Sequence, residues 1–463
     1  MQEEPIMERV KKELQSIKGI SGGAGLKRTN AGEWVDGIRY GAAVLWYKAR
    51  KISVPKVLLI WTLTIIAGVF LFKFMNKGLP GMSSDLVFAS WWEDSLEEQS
   101  LSKLVTEFEK QNPGITVKLE KMSWEKIREL LERSDFVQTQ KTTRNAREQS
   151  VPDIFSIDPH AIGEMERRSY LAALENKDAF SGNALPLISF INPLFYNIDL
   201  LKAAGFDRPP KNRTEFLSYA QRLKETGKET GVNGAGLALG DPRSTGTQLL
   251  SWIWPAAGSP GPEESFNFNS EEVITTLNFL NQLKPNLYGN PFELSEPELL
   301  DAFGQGKVGM MIGSIADIKK LKTMNVNFGI TTIPDSESYA RKPVFPLTVW
   351  YVGINSRSVH QEAARKFIAF LRERTENIAV TAYAIPANGS RNRELSKNDP
   401  YYAKSFDMYE ASDKVRELYV TDVGRFYRVV HSQVELLFRG DKTPEQCAEA
   451  IQQGWKIAGT RTP

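Results

Sequence analysis

The chain has 463 residues, with 58 Lys and Arg against 56 Asp and Glu, 41% hydrophobic and 10% aromatic residues, three His and one Cys. That length and apolar fraction predict two or more lobes with sizeable cores and exclude a wholly disordered chain. One cysteine forms no internal disulfide, and Cys447 with His160, His360 and His431 cannot supply a zinc site. A formal net charge of +2, spread over interleaved acids and bases, leaves no electrostatic footprint for nucleic acid. No metal, cofactor or nucleic-acid partner is therefore expected.

Residues 1–56 carry eleven Lys or Arg and six acids. They precede an uncharged run, Val57–Phe72, closed by Lys56 on one side and Lys73 on the other. Its sixteen residues are short for a bilayer core, but the flanking lysines can snorkel, and Phe74 and Met75 extend the apolar stretch. The expectation is one transmembrane anchor over residues 56–76. Arg50, Lys51 and Lys56 place the tail 1–55 in the cytoplasm and everything after residue 80 outside the inner membrane, in the periplasm or extracellular space. A cleaved signal peptide is disfavoured by the long lead and by the late small-x-small site Gly81-Met82-Ser83. A buried core helix is disfavoured because the run has no polar face. Within the tail, Trp34, Val35, Ile38, Ala42 and Leu45 share a helical face beside Arg39, Lys48 and Arg50, which fits either a helix on the inner leaflet or a disordered tail.

From Asp85 onward strands and helices alternate. Leu86–Ala89 reads as a buried strand; Leu101, Leu104, Val105 and Phe108 form one helical face, ended by Asn112-Pro113-Gly114; Ile115, Val117 and Leu119 alternate as a strand. Ser123 precedes a helix bearing Trp124, Ile127, Leu130 and Leu131, and residues 133–150 have the polarity of a long surface loop. Val151–Ile157 returns to a buried strand, ending at Asp158. Further on come a short strand at Leu194–Tyr196, a helix with Thr214 as its N-cap candidate, a strand at Val308–Ile312, and a capping box at Thr443-Pro444-Glu445-Gln446. This order means α/β, with parallel sheets and ligand crevices at strand C-terminal ends.

Several stretches, in order, carry a resemblance. They are Phe108–Val117, Val151–Phe155, Leu194–Gly205 with Thr214–Phe216, Ala302–Met310, Phe328–Ile330, Val352–Asn355 with Ala363–Phe367, and Thr443–Gln446. Together they span most of residues 85–460, and the chain resembles the extracellular solute-binding proteins of ABC importers, in the sugar-binding family that includes maltose-binding protein. The resemblance implies a two-lobed periplasmic-binding-protein fold that closes over one ligand, presents it to an ABC permease and catalyses nothing. It places the crossings near Ile188–Pro193 and Pro334–Pro346. The first lobe is then 85–190 with 336–372, and the second 193–333 with 373–460.

A hydroxyl-rich ligand such as a sugar or oligosaccharide needs aromatic faces and fixed polar groups in a cleft that excludes water. By family topology Trp91, Trp92 and Glu93 sit at the rim. Strand alternation lets one tryptophan face the ligand, and Trp92 with Glu93 is expected there. Asp158 is a polar contact or a helix N-cap. Trp252, which shares a strand face with Trp254 if that segment is extended, Trp350 before Val352-Gly353-Ile354, Tyr383 and Tyr427 complete the candidate site; Tyr427 matches a sugar-stacking position of the family. Two departures stand out: Ile315 follows Gly313-Ser314 where the family's maltose-binding member has a stacking Trp, and Phe190 replaces an expected carboxylate. The competing readings are a ligand sensor or scaffold on the same fold and a glycosidase using Glu93 and Asp158 as paired carboxylates.

Overall fold

The computed structural model describes residues 84–92, 96, 99–139, 151–158, 161–174, 183–258, 266–335, 343–415 and 422–459. The apolar run Val57–Phe72 and Glu93 lie outside them. Among the described residues no helix is long and apolar enough to cross a membrane.

The first lobe opens with β1 (Ser84–Ser90), α1 (Ser100–Gln111), β2 (Ile115–Lys121), α2 (Trp124–Thr139), β3 (Ile154–Ile157), α3 (Ile162–Arg167) and β4 (Ala184–Phe190). In α1 the spacing of Leu101, Val105 and Phe108 builds one buried face, and Phe108 meets Phe367 edge-on at 4.9 Å. Every residue of β3 and β4 is buried, as their continuous apolar runs require. α2 extends to Thr139, into the segment read from sequence as loop.

The second lobe follows with β5 (Leu194–Asn197), α4 (Ile198–Ala203), α5 (Arg213–Thr226), β6 (Asn233–Gly236), α6 (Pro242–Ala257), α7 (Glu271–Leu283), α8 (Glu296–Gly304), β7 (Val308–Ile312), α9 (Asp317–Thr323) and β8 (Phe328–Thr331). The cap of α5 is Asn212, not Thr214: its side chain accepts from the Glu215 N–H at 2.8 Å. The segment holding Trp252 and Trp254 is helix, not strand. Asp241 caps α6 and Pro242 starts it, and this N-terminal signal outweighs the β-preference of Trp-Ile-Trp.

The chain then returns through β9 (Val344–Pro346), β10 (Thr348–Ile354), α10 (Gln361–Glu373), α11 (Thr375–Ala382), β11 (Ile385–Pro386), α12 (Arg393–Asn398), α13 (Pro400–Ala411) and β12 (Asp413–Val415). It ends with α14 (Val423–Arg439) and α15 (Pro444–Ala458). The first sheet has the order β11-β4-β10-β3-β1-β2 and the second β6-β7-β5-β8. Both are mixed, not parallel: β1 runs parallel to β2 and β3 while β10 is antiparallel to β3 and β4, and β5 is antiparallel to β7 and β8. The capping box expected at Thr443 is present.

Two features differ from the expected division of the chain. β11 pairs with β4, so residues 385–386, beyond the expected boundary at 372, belong to the first sheet. Tyr401 in α13 stacks on Phe328 of β8 (4.4 Å between centroids, 14° between planes) and donates to the Phe328 carbonyl at 2.8 Å. Tyr402 and Phe406 of the same helix pack in the core that holds the first sheet, so α13 ties the two lobes together.

Candidate ligand-binding cleft

Between the lobes lies a cleft of about 600 Å³. The first lobe contributes Trp91, Phe190, Thr348 and Trp350; the second contributes the first turns of α6, α8 and α9 and the end of β7. These second-lobe positions are the segments that follow strand C-termini or open helices, where an α/β fold leaves backbone donors and short side chains facing a crevice.

The first-lobe wall is aromatic and tightly braced. Trp350 stacks on Trp92 (5.1 Å, 7°) and meets Trp91 (5.4 Å, 73°) and Phe190 (5.2 Å, 57°). Its place on the wall coincides with a break in the ladder: the β10–β4 register shifts between Trp350 and Tyr351, where Tyr351 faces Pro186. Proline has no N–H to offer, and a bulge of this kind re-aims the side chain beside it. The ring is held before any ligand arrives.

The opposite side is polar. Asp241 accepts from the N–H groups of Arg243 (2.9 Å) and Ser244 (3.0 Å) and from the Ser244 hydroxyl (2.7 Å). Against the opposing effect of desolvation, these donors hold its carboxyl below the usual carboxylate range. Asp317 accepts from the Ser314 N–H at 2.8 Å, and a Cβ on Gly313 would come within 2.9 Å of the same oxygen, so a larger residue there would displace the carboxylate. Desolvation pushes Asp317 up to about 7, with Glu296 nearby adding to the rise. Glu296 is raised as well, chiefly by desolvation, while Arg243 partly opposes it. Trp91 Nε1 and Gln248 Oε1 have no hydrogen-bond partner among the described residues, although both side chains belong to the cleft lining.

Of the residues singled out from sequence, Trp350 lines the cleft. Trp92 lies behind it, fully buried, and Trp91 takes the wall position; β1 ends at Ser90, so strand alternation no longer governs the two indoles. Asp158, just after β3, reaches across to the second lobe: its Oδ2 is 3.1 Å from Arg243 Nη1. Tyr427 is buried in α14 with its ring against α6, so close that a Cβ on Gly246 would fall 2.3 Å from it. Its hydroxyl bonds to Thr247, and burial raises its pKa. Trp252 sits in the second-lobe core, edge-on to Phe216 at 5.2 Å. Tyr383 ends α11 in the left-handed region (φ 55°), beside Lys322 and Asp399 and away from the cleft. Phe190 is on the wall, and Ile315 is buried, its N–H donating to the Ile191 carbonyl at 3.1 Å. Sequence reasoning missed Arg243, Ser244, Glu296 and Asp317. Their signal lies in the helix-opening segments Asp241-Pro242, Ser295-Glu296-Pro297-Glu298 and Gly313-Ser314, the kind of segment that faces a crevice in an α/β fold.

A cleft between two mixed α/β lobes, walled by preset aromatics and faced by helix first turns, is what a small-molecule receptor requires. Residues 93–377 match the family model described as bacterial extracellular solute-binding protein. The chain belongs to that family. Its members bind solutes and are not enzymes. Among curated relatives, the Escherichia coli protein YcjN, named as an ABC transporter periplasmic-binding protein, is 26% identical over 297 residues, 60% of this chain and 66% of YcjN. The chain thus spans a little under two thirds of that relative's length. A Brucella abortus binding protein is 25% identical over 333 residues, 65% of this chain and 74% of the relative. Two solved structures share the fold. One is the GacH receptor of Streptomyces glaucescens, determined unliganded and with acarbose (TM-score 0.64, 16% identity, 81% of this chain and 98% of that one). The other is the ABC substrate-binding protein Lmo0181 of Listeria monocytogenes in complex with cycloalternan (TM-score 0.62, 18% identity, 82% and 100%).

Proposed function

We propose that this solute-binding protein captures a carbohydrate-like ligand in the interlobe cleft, closes over it, and presents it to an ABC permease while tethered to the inner membrane through residues 56–76. The observation that carries the reading is the pairing of a braced Trp350 wall with hydroxyl, amide and carboxylate groups on the facing lobe. A sugar ring offers C–H faces to indoles and hydroxyls to polar groups, so this division suits both of its surfaces. Each lobe contributes part of the contact set, so bound ligand favours the closed state by its differential affinity. Relatives named for ABC transport and fold neighbours solved with oligosaccharides support the assignment. The test is a thermal-shift screen of the full-length chain in detergent against neutral mono- and oligosaccharides and polyols. A true ligand at 100 times its Kd adds roughly 2.7 kcal/mol of stability. Failure of every member of the panel to shift the transition would contradict the carbohydrate assignment.

A further inference from the structure

Among the described residues, the charged groups on the cleft lining do not balance: Asp241, Glu296 and Asp317 face Arg243 and Lys320. Its two cations are already engaged by carboxylates outside the lining: Arg243 by Asp158 at 3.1 Å, and Lys320 by Asp301. Asp241 is occupied in capping α6, where it accepts three hydrogen bonds. Glu296, from the first turn of α8, and Asp317, from the first turn of α9, lie on the same cleft; Arg243 acts on the one and Lys320 on the other, but among the described residues neither carboxyl forms an ion pair. Glu296 is near enough to add to the rise that desolvation gives Asp317. An independent feature points the same way. Gln248 is only 4% exposed; its Nε2 donates to the Ile312 carbonyl at 3.4 Å, and its buried Oε1 has no donor among the described residues.

Closing this cleft over a neutral ligand would bury two carboxyl groups whose nearby cations are already paired with Asp158 and Asp301, and an anionic ligand would add to the repulsion. A protonated amine brings one positive charge and up to three N–H donors, and tryptophan faces attract ammonium groups. We propose that the ligand carries a protonated amine, as an amino sugar or aminocyclitol does, with the ammonium held between Glu296 and Asp317 and the ring carbons against Trp91 and Trp350. This rests on the solute-binding reading above and names the ligand class within it. A proton leaves the Asp317 carboxyl for solvent as the ammonium binds, because the cation stabilises the carboxylate.

The experiment is isothermal titration of the full-length protein in detergent micelles at pH 7 with three matched pairs: glucosamine and glucose, galactosamine and galactose, and fully deacetylated chitotriose and cellotriose. At least one amine binds ten times more tightly than its hydroxyl partner, with proton release read from buffers of different ionisation heat. In Glu296→Gln and Asp317→Asn, each first shown by thermal unfolding to be folded, that preference falls below twofold. A hydroxyl partner that binds as tightly as its amine overturns the inference and leaves the solute-binding reading standing. An amine preference that survives both substitutions also overturns it. Absence of binding in every pair overturns it too, while the neutral-glycan screen decides the broader reading separately.

Discussion

Two tryptophan clusters in this chain have almost the same composition and different places in the fold. Trp91, Trp92 and Trp350 gather with Phe190 where β1 and β10 run into the cleft, and two of the three indoles reach the lining. Trp252 and Trp254 lie in the last turns of α6, ringed by Phe216, Phe279, Phe266 and Phe268, and fill the second-lobe core. Residue type does not separate them; position along the element does. An aromatic at a strand end beside a register break faces a crevice, whereas one on the buried last turns of a helix has nowhere to point except the core.

The comparison breaks most visibly at Trp252. Trp252→Ala leaves a cavity between α6 and α7 and should cost about 3–5 kcal/mol in denaturant unfolding, with ligand affinity of the folded fraction unchanged. A loss below about 1 kcal/mol would move Trp252 out of the core class. The next largest effect belongs to the polar side of the cleft. Asp317 has its folded pKa raised to about 7, above the ordinary carboxylate value, so the folded state holds a proton that the unfolded state has released over the interval between them. Wild-type stability therefore falls as pH rises through that window, at no more than ~1.4 kcal/mol per pH unit. Asp317→Asn removes the dependence. Relative to wild type, the variant should gain up to about 4 kcal/mol between pH 4 and 8 in thermal or urea unfolding, with a flat difference above pH 8. A constant difference across the range would show that Asp317 stays ionised.

Trp350→Phe sharpens the comparison from the cleft side. Phenylalanine keeps an aromatic stack on Trp92, so stability falls by about 1 kcal/mol, while loss of the wider indole face lowers ligand affinity roughly tenfold. The matching Trp252→Phe should change stability without changing affinity. The smallest effect is expected at Asp158. Its pair with Arg243 spans the lobes but is half-exposed on the arginine side, so Asp158→Asn should change stability by less than about 1 kcal/mol. An interlobe distance measurement should detect the change through a larger open population.

Much of the fold was legible because it rests on periodicity and caps. The α1 face, the buried strand β3 and the Thr443 capping box all follow from short-range patterns. What was not legible depends on pairing between distant segments. That β11 joins the first sheet, and that α13 bridges to β8, is decided by contacts far apart in sequence. The site divides along the same line. Trp350 stood out by its neighbours in sequence, but the Trp91 and Trp92 positions turned on where β1 stops, and alternation carries no information beyond a strand's last residue. Arg243, Glu296 and Asp317 are ordinary charged residues locally, and only the convergence of three helix first turns sets them around one space.

The most direct test of the central claim, that this cleft takes ligand by closure of two lobes, is a distance between the lobes with and without ligand. Cys447 is fully buried, so nitroxides can be placed selectively on cysteines introduced at exposed Lys118 in the first lobe and Lys228 in the second. Pulsed electron-spin measurements on the full-length chain in detergent, with the best binder from the glycan and amino-sugar panels, should show the distance distribution shift to shorter values and narrow. Trp350→Ala should require far more ligand to reach the same shift. A distribution that stays unchanged at saturating ligand, or that shifts equally in Trp350→Ala, would contradict the account.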